Sequence, residues 1–261
     1  MLIKSVAWHP LAIAGARSAI ASLVILLYLG KPEINWSWPQ IAGALAYAGT
    51  VILFVTATKL TTAANAILLQ YGAPIYVVFL GKWFLNEEAS REDWWAVVAV
   101  LGGMVLFFFD QLQWGSLLGN IIAVLSGWSF AFLIIFMRMQ KDSSPLESVL
   151  IGNIFAALIG LPFMFEYLPP PGVWVNLIFL GTVQLGLSYI LYSIAIKGVT
   201  ALEASLIPVI EPILNPLWVF LAIGEIPGKW ALAGSAVILT SVILWFLKKN
   251  REKKPSLSAP S

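Results

Sequence analysis

Cysteine is absent from the sequence and histidine occurs once, as His9. The missing thiols exclude disulfides, a thiolate nucleophile and zinc–thiolate coordination. Charge is scarce too: Asp, Glu, Lys and Arg together make up 11% of the residues, against about 25% in ordinary soluble domains. Asp93, Asp110 and Asp142 sit at the edges of apolar stretches rather than inside them. No phosphate-binding glycine loop is present, so the chain is not itself an ATP-driven pump. The set of side chains predicts no enzyme, no cofactor and no metal site. The net charge of +2 gives no footprint for nucleic acid.

Hydrophobic residues, at 60%, are what the chain has instead. The charges fall in short clusters separated by runs of about 18–25 residues, the length that crosses a hydrocarbon core about 30 Å thick as helix. Nine spans are predicted, at 10–29, 38–58, 62–85, 93–110, 114–137, 146–166, 173–196, 200–222 and 228–247. Trp36, Trp38, Trp94, Trp95, Trp114, Trp174 and Trp230 lie near their ends, as an interfacial belt requires. Short connections leave no room for an extramembrane domain. The expected fold class is an all-α polytopic protein of the cell (inner) membrane, partnered by the lipid bilayer. Lys248, Lys249, Arg251, Lys253 and Lys254 follow the last span. With that tail in the cytoplasm, Lys31, Lys82, Arg91, Arg138, Lys141 and Lys197 also fall inside, and only Lys4, Lys59 and Lys229 outside. The C-terminus is therefore predicted to be cytoplasmic.

Sliding the chain by 138 residues aligns 57–87 with 195–225 without a gap. Lys59/Lys197, Thr62/Thr200, Pro74/Pro212 and Glu87/Glu225 coincide, which apolar composition alone does not produce. The predicted topology puts Lys59 outside and Lys197 inside, so the copies run in opposite directions, as inverted repeats in secondary transporters do. Residues 1–110 form the first repeat, with four spans, 111–247 the second, with five, and 248–261 a basic tail. The first repeat's missing span would lie before residue 1. A start placed one helix late and a genuine nine-span protein both account for it. The first is favoured, because a truncated bundle would expose a packing surface.

"EPILNPLWVFLAIGEIPGKWALAGSAVILTSVIL" (211–244) resembles the C-terminal signature of the EamA-like drug/metabolite transporters. "NAILLQYGAPIYVVFLGKWFLNEEASREDWWAVVAVLGGMVL" (65–106) resembles the same signature in an N-terminal repeat. "HPLAIAGARSAIASLVILL" (9–27) is similar to that family's second helix with its arginine. The resemblance implies ten helices in a 5+5 inverted repeat, of which this chain lacks helix 1. It further implies a secondary transporter that exports small metabolites: amino acids, related compounds or drug-like molecules. A homodimer is compatible with it. The alternative is a non-transporting membrane subunit, or a channel-like protein completed by a partner helix.

Polar groups inside the spans are the candidate functional residues. Pro208, Pro212 and Pro216 each remove an N–H and free the carbonyl four residues earlier, and Pro74 marks the equivalent break with Gln70 and Tyr71 just before it. A cavity or a simple kink would each satisfy those carbonyls. Glu211 lies mid-span, and a four-residue spacing puts Glu203, Glu211 and Asn215 on one helical face. Glu211 is open to binding a substrate amine, carrying a proton or bonding the bundle together. Arg17, two turns into its span, fits a substrate carboxylate but equally an internal acid or snorkelling toward an interface. Gln184 and Tyr189, with Asn153 and Tyr192, complete the set, as packing glue singly or cavity lining together. Glu87 and Glu225 end equivalent spans, as helix-end or gate residues. Gly115, Gly119, Ala123, Gly127 and Ala131, and again Gly152, Ala156 and Gly160, are stripes expected to pack helix on helix.

Overall fold

The computed structural model describes residues 2–112, 115–166, 169–214 and 228–253; Asn215, Pro216, Glu225 and Trp114 lie outside the described residues. Every regular element described is helical. After a short helix at Leu2–Ser5 come α1 (Pro10–Leu29), α2 (Trp38–Leu60), α3 (Ala63–Leu85), α4 (Arg91–Phe107), α5 (Leu117–Met139), α6 (Pro145–Met164), α7 (Pro171–Ala195), α8 (Ala201–Leu206) and α9 (Lys229–Lys253). Among the described residues seven helices, all but α4 and α8, are long and apolar enough to cross a hydrocarbon core. The chain is thus an all-α polytopic membrane protein. Helix α4, with 17 residues, occupies the predicted span 93–110, and the predicted span 200–222 is described as far as residue 214.

Local chemistry sets where the helices begin. His9, the lone imidazole, accepts from the Leu11 N–H at 3.3 Å and caps α1. Thr62 caps α3 by accepting from the Asn65 N–H, and Ser116 caps α5 by accepting from the Gly119 N–H. Such caps satisfy backbone donors that a helix start leaves bare. Ser90 and Asp93 form a reciprocal capping box at the start of α4.

The chain forms two compact units, Met1–Glu87 with Gln111–Ser205, and Glu88–Asp110 with Leu206–Ser261. In the first unit α1 packs on α6, and α2 on α5 and α6. The small-residue stripes meet neighbouring backbone. A Cβ built on Gly160 would lie 2.7 Å from the Gly15 Cα, and one on Gly152 2.6 Å from the Ala44 carbonyl oxygen. One on Gly119 would reach within 2.9 Å of Thr61, and one on Gly127 within 3.0 Å of the Gln70 carbonyl oxygen. Without an apolar driving force between helices in lipid, such close backbone contact supplies much of the attraction.

Contacts in this unit follow the 138-residue shift. The Lys59 ammonium binds the carbonyls of Lys4 and Val6, and Lys197 binds the Ser143 carbonyl at 2.7 Å. Shifted by 138, Ser143 falls on residue 5, between those two partners. Thr200 accepts from the Glu203 N–H as Thr62 does from Asn65.

In the second unit α4 and α9 pack antiparallel. Asp93, at the start of α4, accepts from the Trp245 indole at 2.7 Å and from Lys249 at 3.3 Å near the end of α9. Further along, a Cβ on Gly103 would stand 2.6 Å from Ile238. Leu232, Ile243, Leu244 and Leu247 stay exposed on α9, as expected of side chains facing lipid.

Replacing Gly160 by Leu should lower the stability of the detergent-purified protein by about 1–3 kcal/mol, because an overpacked contact must shift backbone. Thermal denaturation that matches the parent would show that α1 and α6 do not need this close approach.

Candidate functional site

Two spans are broken near proline. Helix α3 divides into Ala63–Gln70 and Ala73–Leu85, with Tyr71 and Gly72 between. Pro74 has no N–H for the Gln70 carbonyl, and Gly127 of α5 packs directly against that carbonyl. The Gln70 amide donates to Ser126 at 2.8 Å, and Ser126 donates to the Thr50 carbonyl at 3.2 Å. Tyr71 is partly exposed and ends the first half of the helix. Beyond α8, a 3-10 turn at Ile207–Val209 contains Pro208. The carbonyl that Pro208 leaves without a helical partner is that of Ala204, and the Tyr192 hydroxyl donates to it at 2.9 Å. A side chain of α7 therefore does what a helical N–H otherwise would.

That 3-10 turn lies between Glu203 and Glu211. Glu203 is buried and accepts from the Thr200 N–H at 2.7 Å, which makes it a helix-start residue. Glu211 is exposed, with no hydrogen bond recorded for it among the described residues.

The most unusual polar group is Arg17. It is 2% exposed, in the interior of α1. Its Nη1 donates to Gln184 Oε1 at 3.1 Å, across 167 residues of sequence. Its Nε is buried with no partner among the described residues. The ion pairs recorded there join Arg138 to Glu87, Lys248 to Glu92 and Lys249 to Asp93, none of them to Arg17. Tyr47 and Tyr189 lie within electrostatic range of the guanidinium. Their rings meet edge-on with centroids 4.8 Å apart, and Tyr189 meets Tyr192 at 6.1 Å. The Tyr47 hydroxyl donates to Asn153 at 3.1 Å, and Asn153 in turn donates to the Val149 carbonyl.

Backbone geometry brings Gln184 to this point. Residues Leu180–Leu187 of α7 are π-helical, a widened form that recurs at functional sites. Gly181 lets that segment approach α1, since a Cβ there would lie 2.7 Å from the Arg17 carbonyl oxygen. The structure thus unites Arg17, Gln184, Tyr189 and Asn153, with Tyr192 alongside Tyr189. Gln70 belongs to the separate Ser126–Thr50 group.

A second polar group closes one end of the same unit. Glu87 follows the end of α3, where Asn86 turns into the left-handed region at φ 53°. Its carboxylate accepts from the Ala201 N–H at 2.8 Å, at the start of α8, and from Arg138 Nε at 3.4 Å. Arg138 also donates to the carbonyls of Ile196 and Lys197, at 3.1 and 2.8 Å. By the predicted topology this end faces the cytoplasm. Also in this unit, a surface cavity of about 400 Å³ is lined by Glu33, Ile34, Asn35, Gln40, Ser143 and Ser144.

Sequence reasoning did not single out Tyr47, whose only signal is a hydroxyl-bearing ring in the middle of an apolar span. It counted Arg138 as a loop charge, because a cation at a span end looks like ordinary membrane anchoring.

Residues 1–109 and 117–247 match the EamA-like transporter family. Among curated proteins, the chain is 26% identical to the transporter YwfM of Bacillus subtilis, covering 94% of this chain and 86% of that one. It is 25% identical to the S-adenosylmethionine uptake transporter of Rickettsia felis, again over 94% and 86%. A solved crystal structure with 18% identity superposes with a TM-score of 0.78, covering 94% of this chain and 90% of that one.

Replacing Tyr192 by Phe should cost about 1–3 kcal/mol, by leaving the Ala204 carbonyl buried and unpaired. Adding Pro208→Ala should recover much of that loss, because alanine restores the missing backbone N–H. A double variant no more stable than Tyr192→Phe alone in thermal denaturation would overturn this account of the break.

Proposed function

The chain belongs to the EamA-like transporter family, and from that premise we propose that it is a secondary transporter of small metabolites across the cell membrane, working by alternating access. The observation that carries the reading is Arg17, a charged group buried in a membrane span, where an ionisable residue is a functional group by default. Arg17 and Tyr189 contact the substrate, with Gln184 holding Arg17 from the other side. Glu211, with Gln70 and Tyr71 at the equivalent break, serves substrate binding or proton coupling. Pro74, Pro208 and Pro212 keep backbone carbonyls out of regular helix bonding, as the interrupted helices of transporters do. Glu87, bonded to Arg138 and to the start of α8, acts as a gate residue at the cytoplasmic end.

Two inverted repeats, at 1–110 and 111–247, supply the two halves that rock against each other. The paired contacts of Lys59 and Lys197, and the matching caps at Thr62 and Thr200, support that reading. Amino acids and related compounds are the proposed substrates, and export the proposed direction. The name of the Rickettsia felis relative speaks of S-adenosylmethionine uptake and favours import as the second reading.

Untargeted mass spectrometry of the medium, from cells with the parent or Arg17→Ala at matched membrane levels, tests the assignment. At least one metabolite should accumulate with the parent only. Parent-only depletion would favour import, and identical media would sink transport by Arg17. Glu87→Gln should slow flux at least several-fold while the protein still reaches the membrane; unchanged flux removes its gate role.

The chain has no cysteine, so orientation can be mapped with single introduced thiols. A membrane-impermeant maleimide should label Gln111→Cys in intact cells and leave Asp142→Cys unlabelled. The reverse pattern would overturn the cytoplasmic C-terminus.

A further inference from the structure

We infer that the Nε/Nη2 edge of Arg17 is the anchor for a carboxylate on the transported molecule, with Gln184 as the residue that aims it. The inference rests on the transport reading and adds to it the charged group by which a substrate is recognised. A guanidinium carries five donors in a rigid fork. Gln184 takes Nη1 at 3.1 Å, which leaves the opposite edge, where Nε–H and one Nη2–H point in parallel. The spacing of those two donors matches the two oxygens of a carboxylate. Nε is buried and has no partner among the described residues, and the side chain as a whole is 2% exposed. Among the described residues its one hydrogen-bond partner is a neutral amide, which compensates a buried cation poorly. An anion arriving with the substrate supplies both the missing charge and two hydrogen bonds.

The surroundings set the size and polarity of what is carried. Tyr47 and Tyr189, edge to face at 4.8 Å, form an aromatic wall beside the guanidinium. Such a wall suits an apolar group or an ammonium attached to the acid. The 138-residue shift of Arg17 falls on Phe155, that of Gln184 on Ala46 and that of Tyr189 on Val51. The anchor is therefore single and not duplicated in the other repeat, so one carboxylate binds per chain. Gly181 and the π-helical segment fix where Gln184 stands, which makes Gln184 a positioning residue.

The test compares acids with their amides, which keep size, side chain and ammonium and remove only the negative charge. Detergent-purified full-length protein is titrated with L-methionine, L-phenylalanine, methioninamide and phenylalaninamide, and binding is read from the shift in melting temperature. The parent should bind at least one acid about ten-fold more tightly than its amide, the scale of a bidentate charged pair. Arg17→Gln should erase that preference and Arg17→Lys retain part of it. Gln184→Glu would place a carboxylate on Arg17 within the chain, so it should raise the melting temperature and abolish acid binding. A structural role for Gln184 alone does not produce that opposite pair of effects. Acid and amide bound equally by the parent, or no acid bound at all, would overturn the inference. Acid binding without flux in proteoliposomes would sink the transport reading and leave the carboxylate anchor standing.

Discussion

The hydrocarbon core of a membrane offers no water to an unpaired polar group, and nearly every feature of this chain answers that fact. Each backbone N–H and C=O must find a partner inside the protein. Where Pro208 removes a donor, the Tyr192 hydroxyl reaches the Ala204 carbonyl. Beside the Pro74 break, Gly127 of α5 packs against the Gln70 carbonyl. Even hydroxyl groups within spans turn back on their own helices, as Ser22, Thr50, Thr58 and Ser241 do toward carbonyls four residues earlier.

Charges obey the same rule with less freedom. The ammonium groups of Lys59 and Lys197 are taken up by carbonyls at the ends of helices. Arg138 is shared between Glu87 and two carbonyls of the chain leading into α8. Those groups lie at span ends, where water relieves what the protein does not. Arg17 lies deep in α1, and Gln184 is its recorded hydrogen-bond partner. The buried Nε of Arg17 has no partner among the described residues, unlike the cations at the span ends.

Repetition in the scaffold and singularity in the site separate cleanly. Caps at Thr62 and Thr200 and lysine contacts at Lys59 and Lys197 recur under the same shift, because they serve helix geometry that both halves need. Arg17, Gln184 and Tyr189 do not recur, since the same shift lands on Phe155, Ala46 and Val51. Close packing makes both coexist: glycines at 15, 152, 160 and 181 bring backbones near enough that a side chain on α7 can serve a group on α1.

The amino-acid sequence by itself determined seven of the predicted spans, the breaks near Pro74 and Pro208, and the packing stripes. Hydrocarbon thickness imposes a length, proline removes a particular N–H, and a four-residue spacing lines up one helix face; each is a local rule readable along the chain. Arg17, Gln184, Tyr189 and Asn153 were each visible as polar residues in apolar runs for the same reason. Tyr47 was not visible as part of the site, since one ring among many carries no local signal. A 3-10 turn at Ile207–Val209 lies between Glu203 and Glu211, a change of period that residue spacing does not reveal. Only the tertiary structure decided which polar groups meet. Arg17 and Gln184 are 167 residues apart, and their contact depends on a π-helical register and on Gly181 against α1. Those are properties of packed backbones, which no single helix possesses alone.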